Sequence, residues 1–328
     1  MRLTTDPRVA AEALARGDLA GLPTETVYGL GARADQARAI ARIYAAKGRP
    51  ADHPLIVHIA QASNLDSWGL RVPAYARELI AELWPGPLTI VVDRSPRAHD
   101  FVTGGQPSVA LRVSAHPLMA EVLDHLGALG GDPSIGIAAP SANRFGRVSP
   151  TTAAHVISEL ADFMTDDDVV LDGGECAVGV ESTIVDCTGE LPRLLRQGAV
   201  TADDITRITG LAVGAGSSIR ASGTLDSHYS PAADVQLIER EQLTELLGDH
   251  PRERRSATGL LAMAHVSTPA GIVRLAAPQT SDDYAQCLYA ALREADALEL
   301  DTVLAIAPEP SGIGAAVIDR LTRAAHRA

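Results

Sequence analysis

Apolar residues in the first two hundred positions alternate between helical spacing and short continuous runs. Residues 7–16, 35–46 and 73–83 carry apolar side chains three or four positions apart, which predicts amphipathic helices. Apolar runs predict strands at 55–59, 88–92, 109–113, 135–139, 169–171, 182–186 and 193–195. Because several of these strands are close enough in the chain to pair as antiparallel neighbours, the pattern predicts a mixed α/β sheet.

The pattern changes between positions 211 and 233, where small and polar residues follow one another without a regular period. Such a stretch is typical of an interdomain linker. Beyond it, the alternation returns, with strands predicted at 235–238, 259–264, 272–275 and 302–306 and helices at 242–247, 282–294 and 314–325. We therefore predict a first domain at 1–211, a linker at 212–233 and a smaller, doubly wound domain at 234–328.

Composition narrows the classes of function. The 328 residues carry 28 basic and 41 acidic side chains, a net charge of −13, and only 3% are aromatic. This balance argues against a stable nucleic-acid complex, which needs basic surface and stacking rings. Three cysteines without CxxC spacing indicate reduced thiols, and no stretch has the pattern of a signal peptide or membrane span. We expect a cytoplasmic protein without a membrane partner.

Lys47 is the only lysine among the 28 basic residues. Because arginine occupies nearly every other basic position, the retained lysine indicates chemistry that needs the compact charge of an ammonium group. The planar guanidinium of arginine does not reproduce that charge. Chance retention is the simpler alternative.

Familiar phosphate motifs do not account for the chain. The sequence contains no GxxxxGK[ST], and its GxGxxA match at 29–34 lacks the acidic strand end that a dinucleotide fold needs about twenty residues later. The turn Lys47-Gly48-Arg49-Pro50 stands there instead. Polar loops at strand ends, at 23–31, 47–58, 108–112, 139–151 and 179–198, remain as the candidate chemistry.

Taken singly, these residues have ordinary structural explanations. The hydroxyls of Thr24 and Thr26 are explained as groups that stabilise a turn, and Ser141 as a helix cap. His58 is explained as a core histidine with satisfied hydrogen bonds. Arg112 and Arg196 are explained as surface charges. Together, four cations among hydroxyls in an acidic chain suit a polyphosphate and a carboxylate in one cleft. These cations are Lys47, Arg49, Arg112 and Arg196.

The loops closely resemble those of the Sua5/YrdC family, the L-threonylcarbamoyladenylate synthases. The matching elements are Pro23-Thr24-Glu25-Thr26-Val27-Tyr28-Gly29-Leu30-Gly31, Lys47-x-Arg49, Ser141-x-Asn143, His228-Tyr229-x-Pro231 and Asp319-Arg320-Leu321. The resemblance covers essentially the whole chain. It implies a YrdC-like domain with a mixed, twisted sheet, followed by a smaller Rossmann-like α/β Sua5 domain.

The resemblance also implies an activity. Such enzymes convert L-threonine, bicarbonate and ATP, with Mg²⁺ on the triphosphate, into threonylcarbamoyl-AMP and pyrophosphate. A threonylcarbamoyl-transferase complex then uses threonylcarbamoyl-AMP to make N6-threonylcarbamoyladenosine in tRNA. Carried over by motif, the catalytic residues are Lys47 and Arg49. The threonine site is lined by Thr26, His58, Arg112, Ala139 and Ser182. The ATP site is lined by Lys47, Arg49, His53, Ser108, Ser141, Asn143, Ser149, Arg196 and Tyr229.

Two departures from the family pattern concern the nucleotide site. His53 stands where the family often has asparagine, and the linker lacks the usual Ser-Pro-Gly-Met start. Because His228, Tyr229 and Pro231 are retained, we expect the linker to fold back over the pocket with Tyr229 closing it. One alternative function is an RNA-binding or ribosome-associated module, and the net negative charge argues against it. A second is a carbamoyl-transfer domain of the hydrogenase-maturation type. Such proteins also carry zinc-finger-like parts, and this sequence has no CxxC pairs.

Overall fold

The computed structural model describes residues 1–214, 216–223, 229–243 and 257–326 and divides into two compact units. The first unit comprises Met1–Phe145, Pro150–Ala177 and Glu181–Thr224. The second comprises Gly146–Ser149, Val178–Val180 and Leu225–Ala328. The linker limits at 212 and 233 stay a prediction.

Eleven strands described for the first unit form one mixed sheet. They are β1 (Arg2–Thr4), β2 (Ala20–Leu22), β3 (Gly29–Arg33), β4 (Ile56–Ile59), β5 (Gly69–Leu70), β6 (Leu88–Arg94), β7 (Ser108–Arg112), β8 (Gly136–Ala138), β9 (Val169–Leu171), β10 (Thr183–Asp186) and β11 (Arg193–Arg196). Their order is β1-β9-β2-β3-β8-β4-β7-β6-β10-β11, with β5 paired to β6. Both parallel pairs, such as β4 with β7, and antiparallel pairs, such as β6 with β7, occur, which confirms the predicted mixed sheet.

Helices cover this sheet. They are α1 (Pro7–Arg16), α2 (Ala37–Lys47), α3 (Leu65–Trp68), α4 (Ala74–Leu83), α5 (Asp100–Thr103), α6 (Pro117–Gly130), α7 (Ala153–Leu160) and α8 (Ala202–Thr209). Helix α1 has the limits predicted from its sequence; Asp6 caps its start and Gly17, in the left-handed conformation, ends it. Helix α2 ends in the same way at Gly48, so Lys47 is its last residue.

Successive residues of the central strands alternate between two sheet faces. Val57 and Ile59 of β4, with Val109 and Leu111 of β7, enter the large core that α2, α3 and α4 also line. Intervening positions therefore face the other side, and three of them, His58, Ser108 and Arg112, are predicted site residues.

The second unit contains a four-stranded, wholly parallel sheet. Its strands are β12 (Asp234–Leu237), β13 (Thr258–Leu261), β14 (Val273–Ala276) and β15 (Thr302–Ala305), in the order β12-β15-β13-β14. Helices α9 (Ser281–Ala297) and α10 (Gly314–Ala325) pack against each other and against this sheet. The α/β alternation predicted from position 234 is confirmed, while the predicted helix at 242–247 lies largely outside the described residues.

Within the described ranges, no helix is both long and apolar enough to cross a membrane.

Candidate functional site

The loop between β2 and β3 is a tight hydroxyl-bonded turn. Thr24 Oγ1 accepts hydrogen bonds from the backbone N–H groups of Thr26 and Val27, at 3.1 and 3.2 Å, and donates to the carbonyl of Val27 at 2.6 Å. Thr24 therefore has the turn role that the simpler explanation assigned to it. Thr26 does more, because its fully buried hydroxyl accepts a 2.9 Å hydrogen bond from Arg112 Nη1.

Arg112 ends strand β7 and is buried, so the surface-charge explanation is wrong for it. Its Nε donates to the carbonyl of Gly86 at 3.3 Å, and its Nη2 lies 2.8 Å from Glu25 Oε1 in an ion pair. The guanidinium is thus held on three sides by the chain. Such a planar fork suits a carboxylate ligand.

His58 lies beside Arg112, because the two residues are register partners in parallel strands β4 and β7. Its ring is buried, and neither nitrogen makes a well-directed hydrogen bond to any residue that the structure describes. Burial, together with the nearby Arg112 charge, lowers the pKa of the imidazole to about 3. His58 is therefore a buried histidine that stays neutral beside the Arg112 guanidinium.

Lys47 ties two predicted elements together. Its Nζ donates to the carbonyl oxygens of Ser141, at 2.6 Å, and Asn143, at 2.5 Å. Burial, with the positive charges of Arg49 and Arg144 nearby, holds the pKa of the Lys47 ammonium well below its usual value. The lysine thus anchors the Ser-x-Asn loop to the end of helix α2.

The Ser-x-Asn loop contacts β3. Ser141 pairs with Gly29 in an isolated antiparallel bridge, so the simpler explanation that it caps a helix is wrong, while its predicted place in the ATP site stays a prediction. Asn143 is buried and donates from Nδ2 to the Arg144 carbonyl at 2.8 Å. Ala139, just before the loop, is buried and bonds through its N–H to the Ile56 carbonyl.

Arg49 and His53 meet at Phe145. The Arg49 guanidinium lies 5.8 Å from the Phe145 ring centroid, and His53 packs edge-on against the same ring at 5.4 Å. Arg49 Nη2 also donates to the carbonyl of Pro54 at 3.0 Å and to the hydroxyl of Ser222 at 3.1 Å. Partial burial and the Arg49 charge lower the pKa of His53, which favours its neutral form.

Arg196 holds Ser182 from the far edge of the sheet. Its Nε and Nη2 both donate to the Ser182 carbonyl, at 3.0 and 2.9 Å, and Nη2 also reaches the Ser182 hydroxyl at 3.1 Å. The same hydroxyl lies 2.8 Å from Thr89 Oγ1 on β6. Arg196 is buried, so the surface-charge explanation is wrong for it too.

Ser222 joins two arginines that are predicted for the nucleotide site, Arg49 and Arg196. Its carbonyl accepts from Arg196 Nη1 at 2.9 Å, while its hydroxyl accepts from Arg49 Nη2 and donates to the Pro54 carbonyl. Nearby, Ile219 and Ala221 pack on an apolar patch of the sheet face that carries His58 and Arg112; the patch is formed by Ile56, Val91 and Ile184. Residues 216–223 therefore form a strap, which leaves a cavity of about 10 Å³ against the strands.

The other predicted residues have separate surroundings. Ser108 is buried at the start of β7, and its hydroxyl has no hydrogen-bond partner among the described residues. Ser149 and Tyr229 belong to the second unit. Arg293 reaches the Ser149 carbonyl at 3.4 Å, and Tyr229 stacks on Tyr289 with 5.6 Å between centroids.

Glu25 lies within a quoted motif and Ser222 within the predicted linker at 212–233, but the sequence indicated no role for either. The signal for Glu25 was its place between two threonines of the quoted motif, of which Thr26 is a predicted site residue. Ser222 had no comparable signal, because its value comes from contacts with residues that lie 26 and 173 positions away. Across the described ranges, no three His, Cys, Asp or Glu side chains gather as a metal site would require.

Comparison with known proteins gives two family matches that together span most of the chain. The model described as "Telomere recombination", which covers Sua5, YciO and YrdC proteins, matches residues 12–198. The model described as "Threonylcarbamoyl-AMP synthase, C-terminal domain" matches residues 200–326.

Individual relatives match over nearly their full length. The threonylcarbamoyl-AMP synthase of Pyrococcus abyssi is 38% identical over 331 residues, covering 97% of this chain and 93% of that protein. That of Bacillus subtilis is 35% identical, with 98% and 94% covered. The crystal structure of P. abyssi Sua5 complexed with L-threonine superposes with a TM-score of 0.86 at 36% identity, over 97% of this chain and 94% of that one.

Proposed function

Because the chain belongs to the Sua5/YrdC family, we propose that it is a threonylcarbamoyl-AMP synthase, a nucleotidyltransferase that consumes L-threonine, bicarbonate and MgATP. The observation that carries this proposal is the buried contact of Arg112, at the end of β7, with Thr26, in the loop after β2, beside the neutral His58.

The chemistry requires two steps. The threonine amine takes up CO2 from bicarbonate and loses a proton to become a carbamate. A carbamate oxygen then attacks the α-phosphorus of ATP, and pyrophosphate leaves. Catalysis of this kind depends on positioning and on stabilising the charge that develops on the phosphoryl oxygens.

The threonine side of the site would use Arg112 for the carboxylate. Thr26 and Ser182 would supply hydroxyls, and Ala139 would contribute backbone. His58 fits a polar contact to the substrate, since its neutral ring nitrogens can each donate or accept according to tautomer.

The nucleotide side would use the cations that surround the strap. Arg49 and Arg196 both donate to Ser222 in this structure, and phosphate oxygens are stronger acceptors for the same donors. Lys47 would act near the phosphates from the end of helix α2, where its Nζ binds the Ser-x-Asn loop. We also include Asn143, His53, Ser108, Ser141, Ser149 and Tyr229 among the ATP ligands, and Mg²⁺ enters with the triphosphate.

The cellular setting is part of the proposal. Three cysteines that form no disulfide fit a reducing cytoplasm. The product is a reactive adenylate, so a transferase complex acting on tRNA would have to receive it. The net charge of −13 supports an enzyme that makes no stable nucleic-acid complex itself.

The decisive experiment measures pyrophosphate release from MgATP while L-threonine or bicarbonate is omitted in turn. Release should require both, and mass spectrometry should identify threonylcarbamoyl-AMP. Equal release without threonine would overturn the proposal, because the nucleophile would then be something other than its carbamate.

A further inference from the structure

Glu25 is buried between Arg112 and Ser114. Its Oε1 lies 2.8 Å from Arg112 Nη2, and the Ser114 hydroxyl donates to its Oε2. Burial by itself raises the pKa of this carboxyl, but the Arg112 charge and the hydrogen bonds from Ser114 and Arg112 outweigh it and bring the pKa to about 2. Glu25 is therefore a carboxylate at any pH at which the protein works.

Glu25 completes the set of contacts that fixes the Arg112 guanidinium. Nη1 is bound to Thr26 and Nε to the Gly86 carbonyl, so Glu25 takes the remaining nitrogen. Without that carboxylate the guanidinium would carry an uncompensated charge while 4% exposed. A buried lone cation attracts any small anion that can reach it.

We propose that Glu25 is a positioning residue that makes Arg112 selective for an amino-acid carboxylate over other small anions. The inference rests on the proposed function, in which Arg112 holds the threonine carboxylate. Beside Glu25, a simple anion such as acetate or bicarbonate brings a net negative charge next to a carboxylate. Zwitterionic threonine brings no net charge, and it gains further contacts at Thr26. This matters for an enzyme that uses bicarbonate, because bicarbonate must not occupy the place of the amino-acid carboxylate.

The test is acetate inhibition of pyrophosphate release, measured competitively against L-threonine. Glu25→Gln keeps the shape of the side chain and an acceptor for Ser114, but it removes the charge. We expect the acetate Ki to fall at least tenfold, while the KM for ATP stays within twofold of the wild-type value. Glu25→Asp, which keeps the charge, should restore most of the discrimination. Glu78→Gln, an exposed site on α4, is the matched control for loss of one negative charge.

Folding of each variant can be followed by the fluorescence of Trp68 and Trp84, both buried in the first unit. If Glu25→Gln does not fold, Ser114→Ala carries the test. That variant keeps the carboxylate and removes the hydroxyl that orients it, so the acetate Ki should fall about threefold.

An unchanged acetate Ki in the folded variants would overturn the inference, as would equal rises in the KM values for threonine and ATP. Wild-type protein that releases pyrophosphate without threonine would instead contradict the proposed function. The two failures are therefore distinguishable.

Discussion

Arg112 Nη1 donates a 2.9 Å hydrogen bond to the hydroxyl of Thr26, across 86 positions of sequence. One residue ends a central strand and the other lies in the turn after β2, so the bond joins two motifs at one buried point. All four predictions below concern groups of this first unit.

Arg112→Ala should raise the KM for L-threonine far more than the KM for ATP. Loss of a charge-assisted hydrogen bond costs roughly 1.5–3 kcal/mol, which corresponds to about a 10- to 150-fold rise. Steady-state pyrophosphate release with each substrate varied in turn measures the split. Arg71→Ala, which removes an exposed arginine paired with Asp93, is the control. A rise confined to ATP would show that Arg112 serves the nucleotide.

Lys47→Met should abolish turnover and lower the free energy of unfolding. The carbonyls of Ser141 and Asn143 would lose their shared donor, and each buried unsatisfied group costs roughly 1–3 kcal/mol. Lys47→Arg should also reduce activity, because a planar fork cannot replace one nitrogen between two carbonyls. Urea unfolding and pyrophosphate release measure the two effects, with Arg38→Ala on exposed α2 surface as control. Normal activity of Lys47→Arg would mean that the lone lysine reflects composition only.

The stability of the first unit should decline in acid partly because of His58. Its pKa is about 3 when folded and about 6.5 when unfolded, so between these pH values the unfolded chain binds the extra proton. The free energy of unfolding should then fall by about 1.4 kcal/mol per pH unit from this group, with no such slope above pH 6.5. His58→Gln should flatten the decline between pH 6.5 and 5. Urea unfolding followed by tryptophan fluorescence measures it.

The control for that experiment is His125→Gln on helix α6, which should keep the wild-type slope. An identical slope in His58→Gln and the wild type would show that His58 does not remain neutral in the folded chain.

MgATP should release the strap from the sheet. The cavity beneath residues 216–223 is about 10 Å³, too small for a nucleotide, and Arg49 and Arg196 are engaged by Ser222. Amide hydrogen exchange at 216–223 should therefore accelerate on adding MgATP. Ser222→Ala, which loses hydrogen bonds worth about 1 kcal/mol, should bind ATP up to about fivefold more tightly. Slower exchange with ATP would show that the strap closes over the nucleotide.

Local signals predicted much of the fold. Helix α1 lay between an aspartate cap and a glycine, and α10 was predicted at 314–325, its observed limits. Helix α6 was missed although its buried residues Met119, Val122, Leu123 and Leu126 have helical spacing. Strand β1 was missed because it has only three residues and two of them are exposed. So short a strand buries too few apolar side chains to give a recognisable hydrophobic pattern.

The candidate site was predictable as a set of loops but not as a set of contacts. The motifs held Thr26, Arg112 and Lys47, yet nothing local indicated that Lys47 would bind two carbonyls more than ninety positions away. The bulge-free β4–β7 register, which brings His58 beside Arg112, is likewise a property of strand pairing.

The burial of Lys47 also determines whether amine-directed reagents can modify a lysine of this protein. Since it is the chain's one lysine and is only 2% exposed, the surface offers no ε-amine to acylating reagents, amine-directed cross-linkers or enzymes that attach modifiers to lysine. A reagent that does acylate Lys47 must first reach it through an opening of the Ser-x-Asn loop. Its rate of acylation would therefore report how often that loop leaves the end of helix α2.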